Sequence, residues 1–441
     1  MEVYKVNKVE DITPVLVKKL VDKYISEEVP RLERLEKYYL AEGDIKDRQM
    51  KDKSKPNNKY ANSFGSFITD TMQGYFLGKP IGYTSQDKEY IDRISTIYKK
   101  VHEHAHNADI GKSMSIKGVA YELLFMNDSE IDIAEISANE CFLIYDTTVN
   151  RNVLAGVRFY YEEDYITEES VLKVEVYTDD EIIQYSDSKG ILEEVDTNNH
   201  FFKAVPIIEY SNNKERTGDY EKVIDLINAY DLAVSDTANN LEYFADAYLV
   251  LKGVDLESDE DDESGDGLDS MKEKRVLLLD KEGTADWLTK GTSDLEVESY
   301  KDRLKEDIHL FSHVPSISGA DFGSATSGES LKYKLVTLEN IISIKERYFR
   351  EALENRINLI TTILNTKGGT YNSDDVVITF NRNLPTNFAQ LIDGLNKVEP
   401  FLSRTTLLSQ IPFVTDVEEE IRRIQEEESS GMYSSVLPEE E

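Results

Sequence analysis

The chain has 441 residues, with 86 acidic side chains against 50 Lys and Arg, so its formal net charge is −36 and its pI is about 4.6. This charge excludes a basic protein that holds nucleic acid by neutralising its phosphates. The one cysteine, Cys141, excludes an intrachain disulfide and a cysteine metal cage.

The composition predicts a soluble protein with packed cores. Hydrophobic residues make up 40% of the chain, and about 150 residues per domain predicts two or three structural units. The start at Met1 has neither the basic nor the apolar region of an export signal, and no apolar run approaches the roughly 18 residues of a membrane span. We therefore expect no membrane partner.

The first half of the chain predicts an α+β unit. Apolar residues at helical spacing from Asp11 to Tyr39, with a break at Pro30, predict two helices; Asn62 to Phe76 predicts a third, and residues 87 to 126 carry two more helical patterns. Between residues 140 and 210 the apolar period changes to two, which predicts a small antiparallel sheet.

The middle of the chain predicts a long helix with a heptad seam. Apolar positions recur at alternating spacings of four and three, and they are Val223, Ile227, Tyr230, Val234, Thr237, Leu241, Phe244, Tyr248 and Leu251. One helix from Tyr220 to Lys252 would be roughly 50 Å long and would need a neighbour along its whole length. A second apolar stripe from Val297 to Phe311 predicts a returning helix.

Between these two helices lies an excursion, residues 253–292, with an acidic run and two strand-like pieces, Val276 to Leu279 and Ala285 to Leu288. A loop of small residues follows Pro315. Apolar positions from Leu331 to Leu364 then predict a helix of over thirty residues, followed by a strand from Val376 to Phe380 and two C-terminal helices, Leu391 to Leu408 and Asp416 to Glu428.

One motif matches a zinc site literally. His102-Glu103-His104-Ala105-His106 fits H-E-x-x-H, which on a helix places His102 and His106 on one face with the glutamate as a general base. No later segment supplies an obvious third ligand, although Glu122 is a candidate. We therefore favour a solvated helix face with incidental histidines and predict no metal site.

Two further motifs are weaker. Residues 262–273 nearly fit a calcium loop, but Ser264 stands at its third position and a strand follows, so a solvated acidic loop is the better interpretation. Gly111-Lys112-Ser113 lacks the first glycine of a phosphate-binding loop, because His106 occupies that place. The sequence therefore predicts no catalytic residues and no cofactor.

Four segments together resemble the portal proteins of long-tailed bacteriophages. They occur in the order of that family and span nearly the whole chain: residues 58–81, 229–253, 307–334 and 407–420. The second contains Ala229-Tyr230-Asp231, and the last contains Leu407-Leu408-Ser409-Gln410-Ile411-Pro412.

The resemblance implies a mainly helical α+β portal-type fold, with regions arranged around a central channel. These regions would be a wing (1–217), a stem helix (218–252), a clip (253–292), a second stem helix (293–313), a channel loop (314–328), a long wing helix (329–365), a wing return (366–400) and a crown (401–441).

The resemblance and the heptad seam together assign candidate site residues. The DNA-channel loop would present Ser318, Asp321, Ser324 and Thr326. Stem packing would use Val234, Leu241, Phe244 and Tyr248. Contacts between subunits at the clip would use Val276, Leu278 and Trp287.

The resemblance also implies partners. The chain would form a ring of twelve copies at one capsid vertex of the virion, assembled in the host bacterial cytoplasm. It would contact the large terminase subunit, the major capsid and scaffolding proteins, and a head-completion connector protein. Double-stranded DNA would pass through the channel without sequence specificity. Two alternatives stay open from the sequence: a zinc-dependent hydrolase and a cytosolic coiled-coil scaffold.

Overall fold

The computed structural model describes residues 3–53, 55–166, 169–245, 249–252, 276–279, 294–316, 335–383, 397, 400, 402–409, 411, 414 and 417–429. The chain divides into two units. The first comprises residues 1–324 and 332–383, and the second comprises residues 325–331 and 384–441.

Two short helices follow an opening strand, β1 (Tyr4–Val6). Helix α1 spans Pro14–Glu27, and its first turn is capped by Thr13, whose Oγ1 accepts a hydrogen bond from the Leu16 amide at 3.3 Å. Helix α2 spans Val29–Tyr39 and carries Pro30 in its first turn. A proline there removes no hydrogen bond of the helix, because the N–H groups of the first turn have no acceptor within the helix. The predicted pair of helices with a break near Pro30 is confirmed.

Three more helices precede the sheets: α3 (Phe64–Leu77), α4 (Lys88–Lys100) and α5 (Glu103–Lys117), with strand β2 (Gly82–Thr84) between the first two. Our expectation that the helical pattern continues to residue 126 is wrong. Helix α5 ends at Gly118, which has a left-handed backbone (φ +85°), and the following residues form a strand.

Six strands form the larger sheet, in the order β1-β5-β6-β7-β8-β9. They are β5 (Cys141–Asp146), β6 (Val153–Asp164), β7 (Glu169–Tyr177), β8 (Glu181–Ser188) and β9 (Ile191–Asn199). Strands β5 to β9 pair antiparallel, as predicted, and β1 adds a parallel edge. Helix α1 contributes to the core of this sheet: its Tyr24 ring stacks on Phe142 with centroids 5.1 Å apart.

A second sheet corrects the predicted boundary of the first. Strand β10 (Ile207–Ser211), which we expected in the 140–210 sheet, pairs instead with β3 (Val119–Asn127), and β3 pairs with β4 (Glu130–Ile136). The alternation of apolar residues predicts that β10 is a strand, but it does not predict which other strand β10 pairs with.

The central helix is shorter than the heptad seam predicts. Helix α6 spans Ile224–Ala245, and β11 (Leu249–Lys252) follows where we expected a single helix to reach Lys252. Strand β11 pairs in parallel with β12 (Val276–Leu279) of the same chain. The apolar run Leu249-Val250-Leu251 is compatible with a buried strand as well as with the helical heptad pattern. Apolar spacing alone therefore could not show where the helix ends and the strand begins.

The other predicted helices of the first unit are present. Helix α7 spans Asp294–Ser312 and contacts α6. Helix α8 spans Val336–Thr366, beginning later than the predicted residue 329; residues 329–334 lie outside the described residues. Strand β13 (Val377–Thr379) pairs antiparallel with β2.

In the second unit the described elements are α9 (Arg404–Ser409) and α10 (Val417–Ser429), which contact each other. Helix α10 confirms the predicted charged helix near the C-terminus. The C-terminal part of the predicted helix Leu391 to Leu408 corresponds to α9, and most of residues 391–401 lie outside the described residues.

Candidate functional site

Helix α6 is joined to the body of the first unit by a segment that we call the strap, residues 57–62. The backbone amides of alternate strap residues donate to side chains on one face of the helix: Asn58 to Asn239 Oδ1 (2.6 Å), Tyr60 to Ser235 Oγ (3.0 Å) and Asn62 to Asp231 Oδ1 (3.0 Å). Two residues of extended chain span about 6.6 Å and four helical residues about 6 Å, so the two repeats run in register.

Side chains of the strap strengthen this attachment. The Asn58 amide donates to Glu242 Oε2 at 2.7 Å, and the Asn62 amide donates to Asp231 Oδ1 at 2.7 Å. Beside the strap, Arg48 forms an ion pair with Asp236 at 2.5 Å. The helix side of the ladder is buried, because Asp231, Ser235 and Asn239 are each less than 9% exposed. The strap therefore fixes the direction in which α6 leaves the body.

Two of the four segments that resemble portal proteins meet in this ladder. Residues 58–62 open the first segment, and the residues from Asp231 to Asn239 lie in the second. Periodicity alone missed the contact, since it identified the apolar seam of α6 and gave no reason for a polar stripe at Asp231, Ser235 and Asn239. The spacing of four between these polar residues was the available signal.

Burial shifts the pKa of Asp231. Desolvation raises the pKa of this carboxyl above its ordinary value, although the two hydrogen bonds from Asn62 act in the opposite direction. The ionised form of Asp231 is thus less stable here than in water. The two hydrogen bonds from Asn62 therefore require an acceptor oxygen at residue 231 but do not require a negative charge there.

The predicted stem-packing residues fall in different environments. At the base of α6, Val223 and Ile227 are buried, and the Tyr230 ring packs edge-on against Phe64 with centroids 5.2 Å apart. Farther along, Val234 is half-buried. Leu241 is 68% exposed. The side chains of Phe244 and Tyr248 lie outside the described residues.

Helix α7 also combines a buried and an exposed face. Leu304 and Ile308 are buried, whereas Tyr300 and Phe311 are more than half exposed. In the part of the chain that the structure describes, Leu241, Tyr300 and Phe311 therefore present large apolar side chains at the surface. Such surfaces are typical of contacts with another protein.

Of the other predicted site residues, the structure places the backbone of Val276 and Leu278. Val276 and Leu278 lie on β12, in register with Leu249 and Leu251 of β11, and their side chains are not described. Trp287 and the channel-loop residues Ser318, Asp321, Ser324 and Thr326 lie outside the described residues, as does the acidic loop 262–273.

Our interpretation of the H-E-x-x-H motif as a solvated helix face is wrong for Glu103 and His106, which take part in a buried network, whereas His102 and His104 are exposed. Helix α5 begins at Glu103, and His102 precedes it with a left-handed backbone (φ +51°). His106 Nε2 lies 2.8 Å from Glu122 Oε2, and Glu103 accepts a 2.5 Å hydrogen bond from the Tyr83 hydroxyl. Within the described ranges, no group of three or more His, Cys, Asp and Glu side chains could hold a metal ion.

Arg356 is the centre of that network. Its guanidinium, fully buried on α8, donates to both carboxylate oxygens of Glu122 and to Asn107 Oδ1 at 2.9 Å. The Tyr210 hydroxyl also donates to Glu122. Burial alone would raise the pKa of the Glu122 carboxyl, but the attraction of Arg356 and the hydrogen bond from His106 hold the pKa below its ordinary value. The network joins α8 to α5 and β3.

A comparison with known families matches residues 19–432 to the model of the family described as phage portal protein, SPP1 Gp6-like. The chain belongs to this family of phage portal proteins. Two curated relatives are portal proteins as well. The portal protein of Bacillus phage SPP1 is 26% identical over 93% of this chain and 86% of its own length. That of Clostridium phage phiCD119 is 24% identical over 86% of this chain and 88% of its own.

Solved structures with a similar chain come from gene transfer agent (GTA) particles. The neck of an empty GTA particle matches with a TM-score of 0.43 and 11% identity, covering 82% of this chain and 90% of that one. The neck of a native GTA particle computed with C12 symmetry matches with a TM-score of 0.42 and 11% identity, covering 80% and 90%.

Family membership confirms the expected function. The chain is a phage portal protein, a structural component of the virion at the capsid vertex, and it is not an enzyme. The zinc hydrolase and the cytosolic scaffold are therefore set aside. No described helix is long and apolar enough to cross a membrane.

Proposed function

We propose that twelve copies of this chain form a closed ring at one capsid vertex, through which double-stranded DNA enters during packaging and leaves during ejection. The observation that carries the proposal is the match to the portal family over residues 19–432. In this ring the regions act as wing, stem, clip, channel loop and crown, with the boundaries given above.

The stem has the properties that this arrangement requires. Helix α6 is held to the body by the strap on one side, and Leu241 on α6 and Tyr300 on α7 remain exposed. In a ring, neighbouring stems would cover these side chains. A cyclic assembly uses two different surfaces of each subunit, so one copy's exposed stem face would meet another face of the next.

The net charge of −36 supports a conduit. Each Lys or Arg that neutralises a phosphate strengthens binding to DNA, so a basic wall would hold the DNA in place. An acidic and small-polar wall, to which Asp321 and Ser324 would contribute, lets the DNA slide. The large terminase subunit would supply the work, and the capsid, scaffolding and connector proteins would hold the ring at its vertex.

The mass and shape of the purified protein test this proposal. Light scattering on a sizing column should give a particle of roughly 600 kDa, since twelve subunits of 50.4 kDa close the ring, and negative-stain images should show a central hole. A discrete dimer, or an open filament, would contradict the closed ring.

A further inference from the structure

The hairpin of β6 and β7 extends beyond the sheet that supports it. Strand β5 pairs with β6 only over Val153–Arg158, and β8 pairs with β7 only over residues 173–177. Strands β6 and β7 continue to pair with each other as far as Asp164 and Glu169. We call this end, residues 160–166 together with 169 and 170, the arm. No other described strand pairs with it, and an isolated ribbon of two strands is only marginally stable in water.

The arm carries apolar side chains that do not pack in its own subunit. Phe159 and Leu172, at its base, are 3% and 6% exposed, so the core ends there. Tyr161, Tyr165 and Ile166 are 57%, 90% and 93% exposed. Large apolar side chains exposed together on one short ribbon, two of them aromatic, are typical of surfaces that a protein partner covers.

The charge of the arm identifies the kind of surface that it fits. Residues 160–170 contain five acidic side chains and no basic one. The backbone register places Asp164 opposite Glu169, and the Asp164 carboxylate accepts a hydrogen bond from the Ile166 amide at 2.8 Å. At the base of the arm, Lys173 Nζ lies 3.3 Å from Glu162 Oε2. A partner that is both basic and partly apolar would complement this acidic charge and cover the exposed rings of Tyr161 and Tyr165.

The same chain offers a surface with those properties. Residues 46–59, which we call the basic segment, contain six basic and two acidic side chains in a chain of net charge −36. Its ends are held together, since Lys46 Nζ donates to the Lys59 carbonyl at 3.0 Å and Lys59 Nζ donates to the Lys46 carbonyl at 2.7 Å. Lys51 and Lys53 between them are exposed, and Tyr60, which follows, is 50% exposed.

We propose that the acidic arm of one subunit docks on the basic segment of the next subunit in the ring. The inference rests on the proposed ring, which needs two different and complementary patches on each subunit. The partner is a second copy of this chain. Because the basic segment shares residues 57–59 with the strap, docking of the arm would couple the wing of one subunit to the stem of its neighbour.

Charge reversal on each side provides the test. One variant carries Glu163→Lys and Asp164→Lys in the arm, and the other carries Lys51→Glu and Lys53→Glu in the basic segment. Each variant alone should need at least about tenfold more protein than the wild type to form rings, because like charges then meet at every interface. Circular dichroism and thermal melting should show both subunits folded.

An equal mixture of the two variants should restore rings. When the variants alternate, every interface pairs either the original charges or the two reversed ones, so an even-numbered ring closes without repulsion. Glu130→Lys, at the exposed start of β4, reverses one acidic charge outside the arm; it is the control for a single reversed charge and should assemble normally. Val149→Ser, at an apolar side chain that is 99% exposed, is the matched control for Tyr165→Ser, which should weaken assembly.

Three results would overturn the inference. Wild-type rings together with normal rings from either reversed variant would show that the arm does not dock there, while leaving the proposed function intact. Folded variants that fail to assemble even when mixed would show that the two patches do not face each other. If the Lys51 and Lys53 variant forms rings but loses the ability to retain DNA, the basic segment contacts nucleic acid. A wild-type chain that never forms rings would contradict the proposed function itself.

Discussion

Arg356 and Glu122 form an ion pair in which neither side chain is exposed, with Arg356 Nε 2.8 Å from Glu122 Oε1. The pair connects α8, which follows the proposed channel loop, to β3 in the body of the first unit. Both carboxylate oxygens of Glu122 accept hydrogen bonds. These hydrogen bonds and the attraction between the two charges offset the cost of removing Arg356 and Glu122 from water. The helix that carries the loop is therefore fixed at its middle.

Replacing Arg356 should show this dependence. In Arg356→Met the uncharged chain fills a similar volume but leaves Glu122 buried without its partner, so we expect a loss of about 3–5 kcal/mol in the free energy of unfolding. Urea denaturation followed by circular dichroism measures it. The control is Arg303→Met, whose side chain is 73% exposed and which should change stability by no more than about 0.5 kcal/mol. Equal effects from the two variants would contradict the structural role of the pair.

The lowered pKa of Glu122 predicts a loss of stability in acid. A carboxyl whose folded pKa lies below its unfolded value stabilises the fold above the unfolded pKa of about 4.3, and this contribution is lost as the pH falls through the folded pKa. The wild type should therefore lose melting temperature below about pH 4.3 more steeply than Glu122→Gln does. Parallel curves for the two proteins would mean that another group controls the acid transition.

This network also shows where prediction from sequence ends. Arg356 lies between Leu353 and Ile357 on the apolar side of a predicted helix, and Glu122 lies in the apolar run of β3. The sequence could therefore have predicted that each charged side chain is buried. It could not have predicted that the two form a pair, because they are 234 residues apart in the chain. The H-E-x-x-H motif drew attention to His106, but its partner in the fold is Glu122 and the contact is structural.

The heptad seam illustrates the other limit. It predicted α6 correctly up to Ala245, since the burial of Val223 and Ile227 follows the apolar spacing. It failed at β11, because Leu249 and Leu251 fit a period of two as well as a heptad. The family resemblance supplied what periodicity lacked, since it depends on four segments in order and not on the local choice between helix and strand.

The strap predicts a stabilising substitution at Asp231. The variant Asp231→Asn would keep an Oδ1 atom able to accept both hydrogen bonds from Asn62, and it would remove a buried charge. Because the folded pKa of Asp231 is raised, its ionisation reduces stability as the pH rises above the ordinary value of about 3.9. We expect Asp231→Asn to melt at a higher temperature than the wild type at pH 7, with a difference that disappears as the pH falls below about 3.9.

The matched variant is Asp231→Ala, which removes the acceptor altogether. It leaves the backbone amide and the side-chain amide of Asn62 without their partner, so we expect a loss of about 1–3 kcal/mol. Thermal melts of both variants at pH 7 and pH 4 measure the two effects. If Asp231→Asn were as unstable as Asp231→Ala, the charge and not the acceptor would hold the strap.

The exposed position of Leu241 predicts a defect in assembly without a defect in folding. Leu241 is 68% exposed in the single subunit, so Leu241→Asp should change the free energy of unfolding by no more than about 0.5 kcal/mol. If neighbouring stems cover this residue, the same substitution should weaken ring formation by about 2 kcal/mol per interface. Asn240→Asp, at the adjacent exposed position, adds the same charge and serves as the control. Intact rings from Leu241→Asp, measured by light scattering, would contradict the proposed stem contact.

The channel loop gives a prediction about DNA. The double variant Asp321→Arg and Ser324→Arg raises the charge of each loop by three units, two at the first position and one at the second. If these residues line the channel, the added cations would bind phosphates, and DNA would move less freely at low salt than at high salt. We expect rings of normal size but a reduced yield of packaged DNA. The conservative pair Asp321→Glu and Ser324→Thr keeps the charge and should package normally. An unchanged yield from the arginine variant would remove these two residues from the channel wall, while a failure of both variants would show that loop shape and not charge is required.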